Sequence, residues 1–198
     1  MEDRLFATLD ATTRQLSLPG GENVVATDTV GFVSKLPHQL VEAFRTTLDV
    51  VLEADLLVHV VDGAGVDPMG NIEAVREVIA EIGGAELPEL LVFNKSDRSA
   101  EPARLAAAHP PAVAVSARTG EGIEELLARI GDRLRARMPT VSLEVPWDRG
   151  DVLAAIHRGG EVLTEEPGES AMFLTARIPE DLVNRYREFA PDGEPANP

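Results

Sequence analysis

Residues Leu90-Leu91-Val92-Phe93-Asn94-Lys95-Ser96-Asp97 decide the fold of this chain, because an apolar run ends here in polar side chains. The four apolar residues predict a buried strand, and Asn94, Lys95 and Asp97 follow at the point where that strand ends. Open α/β sheets bind their ligands at the carboxyl ends of the strands. We therefore expect an α/β fold in which this loop contacts a ligand.

The polar residues of this loop suit a planar ring with adjacent donors. The carboxylate of Asp97 can accept two hydrogen bonds from one ring edge, such as the N1–H and amino group of guanine. Adenine lacks that pair and would leave a charge unpaired. Asn94 can bond the other ring edge and connect neighbouring loops, while the stem of Lys95 can cover a ring face. The alternative is a plain strand-to-loop turn with an Asn or Asp cap.

Composition limits the classes of function. The chain has 198 residues, 44% of them hydrophobic and 26% charged, which predicts one globular domain, or one with a small appendage. It has no cysteine, which excludes disulfides, zinc thiolates and cysteine nucleophiles. The net charge of −16 argues against generic DNA or RNA backbone binding. Without a long apolar run or a signal-peptide core, we expect no membrane span and a cytoplasmic protein.

A second candidate site follows a predicted hairpin near the start of the chain. Strands over residues 15–18 and 24–27 flank a Gly-rich turn, and the second leads into Asp28-Thr29-Val30-Gly31. A carboxylate at Asp28 could hold a water of a Mg²⁺ shell, and Gly31 would let backbone approach a terminal phosphate. Taken separately, the motif is better explained by a plain strand-end turn. It becomes informative because the Asn94 motif follows it in the chain.

The remaining pattern of the first two-thirds alternates helices and strands. The continuous apolarity of residues 56–61 predicts a strand buried on both faces, hence a parallel sheet. Pro68 and Gly70 predict a loop. We expect His59, which lies in the middle of the predicted strand, to pack in the core. Ser116-Ala117-Arg118 should reach the same sheet edge as Asp97, because a helix and a strand separate them. The predicted helices cover residues 38–54, 71–82, 100–108 and 123–137, and the further strands cover residues 89–93 and 112–115.

Beyond residue 138 the pattern changes to a small α+β module. We expect a strand over residues 141–145, a helix over 151–157, a hairpin built from 162–164 and 171–178, and a helix over 179–189. The sequence shows no catalytic constellation there. The domain prediction is therefore a first domain over 1–138, a module over 141–190 and a tail over 191–198.

Taken together, the motifs resemble those of the HflX family of translation-associated GTPases. Phe6-Ala7-Thr8-Leu9-Asp10 resembles its switch I, and Asp28-Thr29-Val30-Gly31-Phe32 resembles its switch II. Asn94-Lys95-Ser96-Asp97 and Ser116-Ala117-Arg118 resemble its two guanine-reading motifs, and residues 36–44 are also similar. The resemblance is good over residues 3–137 and weaker from residue 141.

This resemblance implies a Mg²⁺-dependent GTPase that binds GTP and GDP and associates with the large (50S) ribosomal subunit. Thr8 would coordinate Mg²⁺ through its hydroxyl, Asp28 would support that ion through water, and Gly31 would sense the γ-phosphate. The guanine would be held by Asn94, Lys95, Asp97 and Ala117. Phe32 stands where Ras-type enzymes carry the water-orienting glutamine, so we assign no catalytic residue.

One family motif is missing from the sequence. The phosphate-binding loop, Gly-x-x-x-x-Gly-Lys-Ser/Thr, is absent, although it precedes switch I in the family. We therefore expect a fragment, a truncated version or a misplaced start codon. The predicted fold is α/β, an incomplete P-loop GTPase (G domain) fold with a mostly parallel sheet, helices on both faces and one edge hairpin, plus the small C-terminal α+β domain. A missing strand should leave exposed apolar surface.

Two other functions stay open from the sequence. The chain could be a non-catalytic fragment that binds the ribosome or another protein, or the product of a decaying gene. As an enzyme, it would convert GTP to GDP and phosphate only by family resemblance, and we expect the 198-residue chain to be inactive on its own.

Overall fold

The structure, a computed structural model, describes residues 12–29 and 50–191. The chain divides into two compact units, the first of which comprises Met1–Leu18 and Asn23–Ile130, and the second Pro19–Glu22 and Gly131–Pro198. The domain boundary near residues 138–141 stays a prediction. The predicted helix over residues 38–54 lies mostly outside the described residues, which include its helical residues 50–52.

A β-hairpin begins the described part of the chain. Strand β1, Thr12–Ser17, pairs antiparallel with β2, Asn23–Asp28, in a register that places Thr12 opposite Asp28. The predicted hairpin is therefore present, with longer strands than expected. Its predicted place at an edge of the parallel sheet is not seen, because the hairpin forms a two-stranded sheet of its own. Within the described ranges, no strand bridges it to the parallel strands.

The first unit contains a three-stranded parallel sheet with the order β3-β4-β5. Its elements follow one another as β3 (Leu57–Asp62), α1 (Pro68–Glu81), β4 (Glu89–Asn94), α2 (Glu101–Ala108), β5 (Val113–Ala114) and α3 (Ile123–Arg135). Each strand is followed by a helix, which is the connection that parallel neighbours require. As a result, the three strands end at the same edge of the sheet.

The central strand β4 is buried on both faces. Its residues Leu90 and Val92 pack with Ile123 and Leu126 of α3. On the opposite face, Phe93 packs with side chains of α1 and α2. The prediction of helices on both faces is therefore confirmed for this strand, whose continuous apolar run is explained by burial from both sides.

Strand β3 differs from the expectation of burial on both faces, and that prediction is wrong. Val58 and Val60 are 38% and 57% exposed, whereas Val61 on the opposite face is 4% exposed. In the described part of the chain, β3 is an edge strand that pairs with β4 alone. A continuous apolar run cannot distinguish these cases, because coverage of the second face depends on which elements pack there.

Helix α1 begins earlier than predicted, because Pro68 and Gly70 belong to its first turn rather than to a loop. Asp67 is the N-cap, and its side chain accepts a hydrogen bond from the Gly70 N–H at 3.0 Å. Proline is compatible with the first helical position, since the N–H that it lacks has no partner there in any helix. Gly83 follows the C-cap residue of α1 and has a φ of 95°, in the left-handed region that favours glycine.

The second unit is an antiparallel sheet with the order β6-β8-β7. Its elements are β6 (Thr140–Pro146), α4 (Gly150–Gly159), β7 (Glu161–Pro167), β8 (Ala171–Arg177), α5 (Glu180–Arg185) and a 3₁₀ turn (Arg187–Phe189). Alternate residues of β6 are buried against Val152 and Ile156 of α4. The predicted α+β series is confirmed, except that the last helix breaks at Tyr186. Across the described ranges, no helix is both long and apolar enough to cross a membrane.

Candidate functional site

A cleft of about 540 Å³ lies at the carboxyl edge of the parallel sheet. This volume is within the range of small-molecule sites. Two loops form the cleft, one after β4 and one after β5, and they meet because β4 and β5 are parallel neighbours. The lining residues are Asn94, Lys95, Asp97, Arg98, Ala117 and Arg118.

Asn94 connects the two loops. Its side-chain Oδ1 accepts hydrogen bonds from the backbone N–H of Lys95 at 2.7 Å and of Ala117 at 3.0 Å. A backbone bond from the Ser96 N–H to the Val115 carbonyl, 3.0 Å, adds a further link. The backbone N–H of Ala117, a residue that the resemblance assigns to guanine binding, therefore donates to Asn94 in this structure.

Asp97 is a fixed and ionised carboxylate. Its Oδ1 accepts a hydrogen bond from Ser116 Oγ at 2.6 Å, and its Oδ2 accepts one from Arg118 Nε at 2.8 Å and lies 2.7 Å from Arg118 Nη2 in an ion pair. The bond from Ser116 is the main cause that lowers the pKa of Asp97, and Arg118 adds to it against the opposing effect of desolvation. The side chain of Asp97 is 11% exposed. An acceptor held in this way can read donors on a ligand.

Lys95 has a conformation that is unusual for a side-chain-bearing residue. Its φ is 71°, in the left-handed region, which costs roughly 1 kcal/mol or more and clusters at functional sites. Its Nζ lies 2.5 Å from Oδ2 of Asp62, the last residue of β3. The sequence analysis missed Asp62 as a site residue. Its position at the end of a strand parallel to β4 was the available signal.

The loop after β5 is supported from beneath by serine and glycine. Ser116 is fully buried, and its Oγ also accepts the Thr119 N–H at 3.2 Å. Ser96 contacts Glu121 through its Oγ at 3.3 Å. Gly122 has a φ of 74°, and a Cβ there would overlap the carbonyl oxygen of Ala114. Both serines therefore shape the loops. The close approach between residue 122 and the Ala114 carbonyl requires glycine at that position.

The predicted switch residues are mostly outside the described part of the chain. Phe6, Ala7, Thr8, Leu9 and Asp10 lie there, and so do Val30 and Gly31. Asp28 is the last residue of β2, and Thr29 follows it. The roles predicted for Thr8, Asp28 and Gly31 therefore stay predictions.

The predicted Mg²⁺ ligands are hard oxygen donors, a hydroxyl at Thr8 and a carboxylate at Asp28, and their chemistry suits this ion. Within the described ranges, no group of three or more His, Asp or Glu side chains could hold a metal ion. Because Thr8 lies outside those ranges, a Mg²⁺ site at these residues remains a proposal.

Family comparisons identify the class of protein first. Residues 1–95 match the family described as 50S ribosome-binding GTPase, and residues 103–181 match the HflX C-terminal domain. The first match indicates the class of protein, because the family that it names is described as ribosome-binding GTPases. The second, in the same chain and order, is specific: the chain belongs to the HflX family, with part of a G domain followed by the HflX C-terminal domain.

Individual relatives agree with this assignment. GTPase HflX of Akkermansia muciniphila is 38% identical over 197 residues, which cover 96% of this chain and 45% of the relative. GTPase HflX of Lacrimispora saccharolytica is 38% identical over 182 residues, or 91% of this chain and 43% of the relative. The chain therefore spans less than half the length of these relatives.

One solved structure shows a similar fold. It is a GTP-binding protein from Sulfolobus solfataricus in complex with GDP, with a TM-score of 0.50 and 24% sequence identity. The match covers 62% of this chain and 44% of that protein. At this identity, the likeness concerns the fold alone.

Proposed function

We propose that this chain reads the base of GTP or GDP in the cleft after β4 and β5, as part of an HflX-type GTPase. The observation that carries the proposal is the state of Asp97, a carboxylate that is ionised, held by Ser116 and placed in the cleft. Asn94 and Ala117 line the same cleft. The arrangement offers an anionic acceptor to one ring edge, and the side-chain amide of Asn94 to another.

Guanine satisfies Asp97 better than other common bases do. Its N1–H and amino group are adjacent donors, so both can bond the carboxylate. Adenine has no such pair, because its N1 is an acceptor, and it would place that acceptor against the carboxylate. A hydrogen bond to a charged group contributes roughly 1.5–3 kcal/mol, so each missing bond reduces affinity by about 10-fold or more.

On the phosphate side, we propose that Phe6-Ala7-Thr8-Leu9-Asp10 and Asp28-Thr29-Val30-Gly31 act as the two switch loops. The hydroxyl of Thr8 and, through water, the carboxylate of Asp28 would hold Mg²⁺. When bound, this ion neutralises phosphate charge. Gly31 would offer its N–H to the γ-phosphate, so loss of that phosphate would release both loops.

We expect weak nucleotide binding and negligible hydrolysis from the 198-residue chain. Its sequence has no Gly-x-x-x-x-Gly-Lys-Ser/Thr loop, so this chain provides no such cradle for the inner phosphates. Isothermal titration with GDP and ADP tests the base reading, and phosphate release from GTP tests turnover. Preference for GDP over ADP supports the proposal. Equal affinity for both nucleotides contradicts base reading, and micromolar GTP binding with turnover above buffer contradicts the expected weakness.

Two exposed side chains of the second unit favour an additional role for this unit in binding a partner. Trp147 and Phe173 are large apolar side chains, each 47% exposed, so they are accessible to a partner. We propose the 50S ribosomal subunit as that partner, and hence a cytoplasmic location, from the family description. Co-sedimentation with 50S subunits should weaken when Trp147→Ala and Phe173→Ala are combined, while an unchanged bound fraction counts against this surface. If binding to 50S subunits persists without any nucleotide binding, the non-catalytic alternative is favoured.

A further inference from the structure

We propose that Arg118 is an intramolecular competitor for Asp97, which a guanine base must displace in order to bind. This inference rests on the proposed function of the cleft and adds a determinant of its affinity. In the structure, the guanidinium of Arg118 contacts the oxygen of Asp97 that would otherwise be available to a base.

The geometry divides the two carboxylate oxygens between different donors. Oδ1 of Asp97 is held from the buried side by Ser116 at 2.6 Å. Oδ2 receives both Nε and Nη2 of Arg118, at 2.8 and 2.7 Å. Because both nitrogen atoms lie within 3 Å of the same oxygen, a base that approaches Oδ2 meets the guanidinium of Arg118. A base with adjacent donors therefore cannot use Oδ2 until Arg118 leaves.

The side chains of Asp97 and Arg118 differ greatly in conformational freedom. The side chain of Asp97 is 11% exposed and fixed by Ser116, whereas that of Arg118 is 77% exposed. Within the described part of the chain, Arg118 makes no ion pair other than the one with Asp97. Arg118 can therefore swing into solvent at low cost while the carboxylate stays in place.

The arrangement resembles a bound ligand in its hydrogen bonding. Two N–H groups on one side of a planar guanidinium approach Asp97, as the N1–H and amino group of guanine would. The guanidinium helps to keep the carboxylate ionised and paired, so the site avoids a bare, partly buried charge. Competition from this exposed pair should reduce the affinity for the base by about 2- to 5-fold.

The substitution Arg118→Met tests the proposal, because it keeps the length of the stem and removes the donors. Guanosine is the probe, since an uncharged nucleoside is insensitive to the lost positive charge. Binding is followed by NMR shifts of the ¹⁵N-labelled 198-residue chain. We expect Arg118→Met to bind guanosine about 2- to 5-fold more tightly than the parent, and Arg118→Lys, which keeps one weaker donor group, to lie between them.

A matched control and a second readout separate competition from a structural role. Arg129 forms an exposed pair with Glu125 at 3.5 Å, so Arg129→Met removes a comparable arginine away from the cleft and should leave guanosine affinity unchanged. The ¹³Cγ titration of Asp97 should move to higher pH in Arg118→Met but not in Arg129→Met. A structural support would lose affinity when removed, whereas a competitor gains it.

The outcomes distinguish a failure of the competition by Arg118 from a failure of the proposed base reading. Equal or weaker guanosine binding by Arg118→Met, with the parent still binding, overturns the competition and leaves the proposed function intact. An unmoved ¹³Cγ titration of Asp97 overturns the Arg118 contact itself. If neither guanosine nor GDP binds to the parent or to any variant, the proposed function fails and this inference fails with it.

Discussion

Replacing Asp97 with asparagine tests base reading most directly. Asp97→Asn keeps an Oδ1 acceptor for Ser116 but turns the anionic Oδ2, which lies 2.7–2.8 Å from the Arg118 donors, into an amide donor. Guanine then loses at least one charge-assisted hydrogen bond, worth roughly 1.5–3 kcal/mol, or about 10- to 150-fold in affinity. Xanthine carries an oxygen where guanine has its amino group, so the new amide should bind xanthosine diphosphate more tightly than the parent does.

The assay is isothermal titration of the variant with GDP and with xanthosine diphosphate, after urea unfolding has shown that its stability is retained. Asp55→Asn is the control, because Asp55 is an exposed aspartate of the same unit outside the cleft. It should leave both affinities as they are. Unchanged GDP affinity in Asp97→Asn, with a folded protein, would refute the reasoning, since an acceptor that contacts the base cannot become a donor without effect.

Two further predictions concern stability. Burial raises the pKa of Glu89, but hydrogen bonds from His59 at 2.6 Å and from Arg76 outweigh this effect and hold the pKa at about 2, below the usual 4.5. Because the folded pKa is depressed, this stabilisation is fully present above about pH 4.5 and is lost as the pH falls towards 2. Glu89→Gln should remove this part of the pH dependence, which is worth about 1–2 kcal/mol after solvent screening. The measurement is the free energy of unfolding in urea between pH 6 and pH 2. If parent and variant lose stability in parallel over this range, the network does not have the predicted effect. Gly122→Ala should destabilise the protein by roughly 1–3 kcal/mol, because its φ of 74° is strained for alanine and the Cβ would overlap Ala114; an unchanged urea midpoint would contradict this.

Local sequence predicted most of the elements and the part of the candidate site that the structure describes. The apolar run before Asn94 is long enough for one strand and ends in polar residues, so both the strand and its loop could be inferred. Ser116 and Ala117 could be placed beside Asp97 because consecutive parallel strands end at one edge of a sheet. The Asn94 bond to Ala117 is the direct result of this geometry.

Other features could not be inferred, because they depend on contacts between distant segments. The exposure of Val58 and Val60 depends on what covers β3, and their apolar side chains carry no information about it. The first turn of α1 differs from the prediction because Pro68 and Gly70 are also typical of loops, and the structure resolves the ambiguity through the hydrogen bond from the Gly70 N–H to the Asp67 cap. The pairing of Lys95 with Asp62 required the register between β3 and β4.

What the sequence by itself determined is the alternation of strands and helices, the order of the motifs and the chemistry offered at the strand ends. These properties follow from local periodicity and from residue type. Only the tertiary structure decided which donors satisfy Asp97, and it assigned one oxygen to Ser116 and the other to Arg118. The physical reason is that hydrogen bonds between side chains require distances within about 3 Å, which the packing of the two loops sets and the spacing along the chain does not.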